Sequence, residues 1–440
     1  MVKKLLLGLL GILVAVAAWF FAQYRLTDNR VQDAKSLLVQ GRYREMRQQL
    51  RNVLWLQPRH PEANVLMAQA LTIDESLSLP GDFERNRELI EEALAHLALV
   101  PDDSPFGAMA HEKRAALEFN FQYRPSAALD DLARSIELDS RHASAYELRM
   151  RVYAMLGRPR YGYEDMWALY ELLDDAERPL LLRRWFMYEF FPDTSLTETD
   201  RQMGFAGPDQ MTNVLVANAR LRAFKDAEPH SAIGYAAVGN WLLKQTDPTT
   251  AQELLNISLD QATDIDDCEY WFAIAVDTLE DLGTLDDAVE LVNRWPAPQD
   301  SYDYWRAKAI VQHRVEEDPE AALESYGKAL EYWPGPVDWS VRNMMAACLR
   351  ELGRTDESIE MTERASDVEK QLRDDVLQPI RDALFTMDDP TELQRLVQFY
   401  DELDLPRERA AWQAVVDQLE SQSQETADES SESAGDPPAE

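Results

Sequence analysis

The chain has sixteen glycines, two cysteines, six histidines and nine lysines among its 440 residues. Each shortage excludes something. So few glycines leave little material for a phosphate-cradling loop, and neither a nucleophile elbow nor a paired-histidine helix motif occurs. Cys268 and Cys348 stand 80 residues apart with no CxxC pair and no Cys/His cluster. Neither a disulfide framework nor a zinc site is expected, and both thiols read as small apolar core residues. His60, His96, His111, His142, His230 and His313 are scattered, and each reads as a surface or helix-end residue instead of a ligand or base. No cofactor, no metal and no catalytic activity are expected.

Basic charge is also scarce: 44 Lys and Arg oppose 80 Asp and Glu, a net of −36. An acidic body argues against nucleic acid, because binding a polyphosphate begins with neutralising it. The imbalance is not uniform. Residues 1–60 hold ten bases, among them Arg42, Arg44, Arg47 and Arg51, against three acids, so this part is net +7 and the remainder −43. Arginines close to a bilayer are drawn to anionic headgroups at about 1 kcal/mol each, which suits first helices lying at a membrane surface.

Long hydrophobic runs are absent except for one, LLLGLLGILVAVAAWFFA at residues 5–22, behind Lys3 and Lys4. Eighteen residues at about 1.5 Å each span roughly 27 Å, close to the roughly 30 Å of a hydrocarbon core. Ala15-Val16-Ala17 has the composition of a signal-peptide cleavage site, but the run continues through Trp19 and two phenylalanines. Tyr24 and Arg25 then form an interfacial belt, so the reading is an uncleaved anchor over 1–24. Lys3, Lys4, Trp19, Tyr24 and Arg25 are its interface residues. A short tail with two lysines is costly to translocate, so the remainder is expected on the outer, periplasmic side of an inner (plasma) membrane.

Beyond the anchor a period shows itself. Ala128, Gly162, Ala251, Ala288, Ala322 and Ser358 are each preceded by twelve residues by Ala116, Met150, Gly239, Val276, Ile310 or Ala346. Gly157, Gly283 and Gly353 stand five residues before three of these small positions, and neighbouring copies lie 34 to 37 residues apart except for one longer gap. Two helices of about a dozen residues with a short turn account for this period, the small side chain letting the backbones approach where they cross.

At this point the chain resembles the tetratricopeptide repeat (TPR) family. Residues 27–60 carry Gly41-Arg42-Tyr43 at the turn and close on Val53-Leu54-Trp55-Leu56-Gln57-Pro58. A second match has Ala321, Ala322 and Tyr326 and ends in Ala329-Leu330-Glu331-Tyr332-Trp333-Pro334. The fold class expected is all-α, a TPR-like α-solenoid of about eight helical hairpins behind one N-terminal transmembrane helix. Repeats are read over 27–176 and 232–372. Between them lies an irregular helical pair with a long loop over 177–231. Capping helices follow over 373–420 and a disordered acidic tail over 421–440.

What the resemblance implies about function is binding of proteins or peptides on a concave face. Register places Lys113, Asn120, Glu147, Arg151, Asn240, Lys244, Asn343 and Arg350 on that face. Relatives that hold a peptide's terminal carboxylate use a lysine and asparagines there. Asn240 and Lys244 match part of that pattern, while Ala236 stands where a cation is wanted. The aromatic crowd of Trp295, Tyr302, Tyr304, Trp305, Tyr326, Tyr332, Trp333 and Trp339 reads as core. The expected function is a membrane-tethered, non-catalytic interaction scaffold. The alternatives are an assembly or maturation factor for an envelope complex (secretion, cytochrome or lipopolysaccharide control), and an enzyme with its site in residues 178–228.

Overall fold

The computed structural model describes the backbone of residues 27–73, 83–191 and 210–433. The expected membrane span at 5–22 and its interface residues lie outside the described residues. So do the loop at 74–82 and the connection at 192–209. Among the described residues no helix is long and apolar enough to cross a membrane.

The chain divides into two compact units, 1–149 and 150–440. In the first, a helix over 27–39 (α1) is followed by α2 (Tyr43–Leu56), α3 (Pro61–Thr72), α4 (Phe83–Leu97), α5 (Gly107–Phe121), α6 (Pro125–Leu138) and the start of α7 (Ala143–Met155). Pro61 and Pro125 open their helices, where the missing N–H is no loss and φ is already helical. Gly41 makes the α1–α2 turn at φ +70°, a left-handed conformation that costs glycine nothing. Val31, Ala34, Met46, Leu50 and Val53 from this hairpin share one buried cluster with Ala63, Leu71, Ile90 and Ala93 from the next.

The second unit contains α8 (Tyr163–Leu172), α9 (Arg178–Phe190), α10 (Gln210–Ala227), α11 (Ala232–Lys244), α12 (Pro248–Gln261), α13 (Glu269–Leu282) and α14 (Ala288–Asn293). It continues through α15 (Tyr302–Arg314), α16 (Pro319–Ala329), α17 (Trp339–Glu351), α18 (Thr355–Gln371), α19 (Asp374–Thr386), α20 (Pro390–Glu402) and α21 (Pro406–Ser433). The pairs α11/α12, α15/α16 and α17/α18 pack as hairpins. Their crossings are made by the small residues of the period. Ala251, Ala288 and Ala322 are completely buried. A Cβ on Gly162 would come within 3.2 Å of the Met150 backbone, and the Ser358 hydroxyl donates to the Ala346 carbonyl at 2.8 Å.

Two elements differ from the sequence reading. α14 is only six residues long, because Pro296 and Pro298 follow at once and proline cannot continue a helix. α21 runs to Ser433, past Glu420, where the disordered tail was expected to begin. Extending an existing helix through Gln, Glu and Ala needs no new nucleus.

Candidate functional site

In the second unit the first helices of successive hairpins, α11, α13, α15 and α17, present a row of polar side chains, and the chain's own turn between α7 and α8 is seated on it. Gly157 (φ +78°) brings the turn so close to α11 that a Cβ there would lie 2.7 Å from Asn240 Nδ2. That amide donates to the Gly157 carbonyl at 3.2 Å, and Tyr270 of α13 donates its hydroxyl to the Leu156 carbonyl at 2.7 Å. Two arginines follow. Arg158 Nη2 donates to Asp277 at 3.0 Å and its guanidinium lies 5.3 Å from the Tyr270 ring centroid. Arg160 donates to Asp303, which also accepts the Tyr161 hydroxyl at 2.8 Å.

The row continues along α15. Arg306 bridges Asp277 and Glu280, the latter at 2.8 Å, and Tyr302 donates to Asp338 at the start of α17. Burial opposes ionisation of Asp277, yet the Arg306 and Arg158 guanidiniums outweigh it and hold the carboxyl below its ordinary range. Asp303 goes the other way: burial dominates and raises it, despite Arg158. Charges this deep persist because each is paired, and their arrangement fixes the turn in one position.

Asn240 is therefore a correction to the sequence reading. It was expected to meet a partner, but it is only 8% exposed and its amide holds the chain's own backbone. Register on a helix says which face a residue occupies, not what covers that face.

Beside this network a cavity of about 280 Å³ opens between α15, α16 and α17. Ile310, Val341 and Met344 supply apolar wall, with Glu280 and Arg306 as charged neighbours. Tyr326 lines it too; the residue is completely buried and its hydroxyl has no hydrogen-bond partner among the described residues. Leaving a hydroxyl buried and unmet costs about 1–3 kcal/mol. Asn343, one of the sequence candidates, is exposed and lines the same cavity, as does Trp339 at 37% exposure. Trp339 and Tyr332, also 37% exposed, depart from the expected core role, whereas Trp295, Tyr302, Tyr304 and Tyr326 are buried.

The remaining candidates do not converge. Lys113, on α5 in the first unit, donates to neighbouring Glu112 at 3.2 Å, and Asn120 is half-buried near the end of the same helix. Arg151 is half-buried; Lys244 and Arg350 are exposed in the last turns of α11 and α17. Glu147 is exposed on α7.

One histidine departs from expectation. His111, with only 13% of its side chain exposed, bridges Asp131 (2.8 Å) and Asp102 (3.0 Å), and Arg114 adds a 2.6 Å bond to Asp131. These carboxylates raise the His111 pKa above its usual value, Asp131 foremost, against the opposing effect of burial. Nearby Glu118 is pushed up to about 7, chiefly by burial and then by Asp131. This cluster has no sequence signature, because its members lie at 102, 111, 114, 118 and 131 with no motif spacing. Among the described residues no group of three or more His, Cys, Asp or Glu is placed to hold a metal ion.

In the 178–228 section, Glu189 of α9 is pushed up to about 7 by burial, with one carboxyl oxygen buried and without a partner among the described residues. Its surroundings are aromatic packing. Tyr163 stacks on Trp333 with centroids 4.8 Å apart, Trp185 lies 6.3 Å from Trp333, and Tyr163 donates to buried Glu408 at 2.7 Å. Both cysteines are free; Cys348 is fully buried and Cys268 partly so, and burial pushes their thiols up to about 11 and about 12.

No protein-family model matches the sequence, and no curated protein matches it. Solved structures do. A tetratricopeptide repeat protein from Parabacteroides merdae is 11% identical, covering 74% of this chain and 99% of its own, with a TM-score of 0.27. The Cut9-Hcn1 hetero-tetramer of the APC/C matches at 12% identity over 88% and 85%, with a TM-score of 0.33. Pseudomonas aeruginosa pilF matches at 13% over 65% and 97%, with a TM-score of 0.23. The described residues form an all-α array of helical hairpins, several crossing on a buried small residue and several turning on a glycine at positive φ, an arrangement like that of tetratricopeptide repeats.

Proposed function

We propose that this chain is a membrane-tethered, non-catalytic scaffold that holds partner proteins or peptides at the cavity between α15, α16 and α17. One observation carries the reading: a cavity walled by apolar side chains and Tyr326 has a rim that carries exposed Asn343 and a half-exposed tryptophan. An apolar wall with a few convergent polar groups at its rim suits one side chain of a bound segment. The groove nearer α11 is filled by the α7–α8 turn, so binding falls at α15–α17. Membrane tethering is supported by the apolar run at 5–22 and its flanking Lys3, Lys4, Tyr24 and Arg25. The repeats then lie on the periplasmic or outer side.

The test is to crosslink the full-length protein in native membranes and identify what co-purifies by mass spectrometry, with a variant retaining only the anchor as control. The scaffold reading expects recurrent partners from one compartment. Nothing above the control, together with turnover in a hydrolase or transferase screen, would replace it with a catalytic one.

A further inference from the structure

The helix α2 has an outward face unlike the rest of this acidic protein. Arg44, Gln48, Arg51 and Trp55 follow one another at intervals of four, three and four residues, which places them along a single stripe, and all four are exposed. Trp55 is 73% exposed, the most exposed tryptophan among the described residues. Arg59, just past the helix, is exposed as well. The only acid in α2, Glu45, is taken by Arg42 at 2.6 Å. Arg44, Arg51 and Arg59 form no ion pair with any carboxylate among the described residues. On the opposite side Met46, Leu50 and Val53 are fully buried, so the stripe is not free to turn inward.

The hairpin also fixes where this stripe sits along the chain. α2 runs back alongside α1, and Gln57 Nε2 donates to Thr27 Oγ1 at 2.9 Å, while His60 Nε2 lies 3.6 Å from Asp28. The Trp55 end of the stripe is therefore the end at which the chain enters from its apolar run. Only four residues lie between Ala22 and Thr27, five backbone steps that reach at most about 18 Å when fully extended. An exposed indole flanked by arginines at that distance matches an interfacial contact, with the ring at headgroup depth and the guanidiniums on lipid phosphates.

We infer that the Arg44–Arg51–Trp55–Arg59 face of α2 is a docking surface for the anionic headgroups of the membrane to which residues 5–22 tether the chain. The inference rests on the tethering part of the proposed function. Its effect is to lay the first hairpin against the bilayer and give the array that follows a fixed starting orientation. Charge complementarity selects the lipid: over residues 61–440 the chain is net −43, whereas this stripe is basic.

The experiment uses the full chain with Asn52→Cys, an exposed position beside the stripe, labelled with an environment-sensitive fluorophore. It is reconstituted into vesicles of phosphatidylcholine alone or with 30% phosphatidylglycerol, with the identically treated wild type as background. Brominated lipids in the bilayer should quench the label at least twofold more in anionic than in neutral vesicles. Arg44→Glu with Arg51→Glu should abolish the difference, and Trp55→Ala should reduce it. Equal quenching in both vesicles would overturn the electrostatic basis, and a label that stays in water in both would overturn the surface itself. Flotation after alkaline carbonate extraction reads the tether separately. A protein that floats with an unquenched label keeps the anchor and loses this inference, whereas one that fails to float loses both.

Discussion

Asp303→Ala should unlatch the α7–α8 turn. The Asp303 side chain is 4% exposed and accepts from Arg160 and from the Tyr161 hydroxyl at 2.8 Å, with Arg158 3.9 Å away. Removing one partner of a buried pair costs about 3–5 kcal/mol, because the other charge is left uncompensated. Arg158 keeps Asp277 at 3.0 Å, so the stranded charge is Arg160 alone and the expected loss is at the lower end, about 3 kcal/mol. Urea unfolding followed by circular dichroism reads that loss directly. Limited trypsinolysis supplies the local readout: cleavage after Arg160, mapped by mass spectrometry, should accelerate at least tenfold in the variant, since its side chain leaves the groove. Asp303→Asn, which keeps the shape and drops the charge, should fall between wild type and Ala. A loss under about 1 kcal/mol, with Arg160 as protected as in wild type, would refute the latch.

Three further outcomes follow from the packing. Tyr326→Phe removes a hydroxyl that has no partner among the described residues, so thermal unfolding should not shift downward; a fall in melting temperature would mean the hydroxyl is already satisfied. Glu189 titrates near 7 in the folded protein against an ordinary value of 4.5, so its contribution to stability is fully present below pH 4.5 and is lost as pH rises through about 7. Glu189→Gln should therefore flatten that part of the pH–stability curve, by up to about 3 kcal/mol in urea titrations at pH 5 and 7.5. Ala322→Leu puts three extra carbons into a completely buried crossing and should cost about 1–3 kcal/mol by the same assay; an unchanged midpoint would deny the tight crossing.

The hairpins were legible because their signals are local. A small residue, its partner twelve positions earlier and a turn glycine five positions earlier lie within one repeat, and Ser358 on Ala346 and Gly162 on Met150 are the contacts that spacing implied. The turn glycines 157, 283 and 353 all have positive φ. What escaped was non-local. Nothing in the composition of α11 says that Asn240 will bind a carbonyl 83 residues away, and Arg160 and Asp303 are separated by 143. The shortness of α14 was readable in Pro296 and Pro298, but the repeat period outweighed them. At the cavity, register made Tyr326 core, as it is; only the three-dimensional arrangement reveals that its hydroxyl has no partner among the described residues.

The central claim is that partners meet the α15–α17 cavity and not the row that the chain fills itself. A photo-reactive amino acid at position 343, compared with one at position 240 in the same full-length protein, tests it in native membranes. The account predicts partner adducts from position 343 and, from 240, only intramolecular products joining α11 to the Leu156–Gly157 turn. Partner adducts from 240 with none from 343 would contradict it.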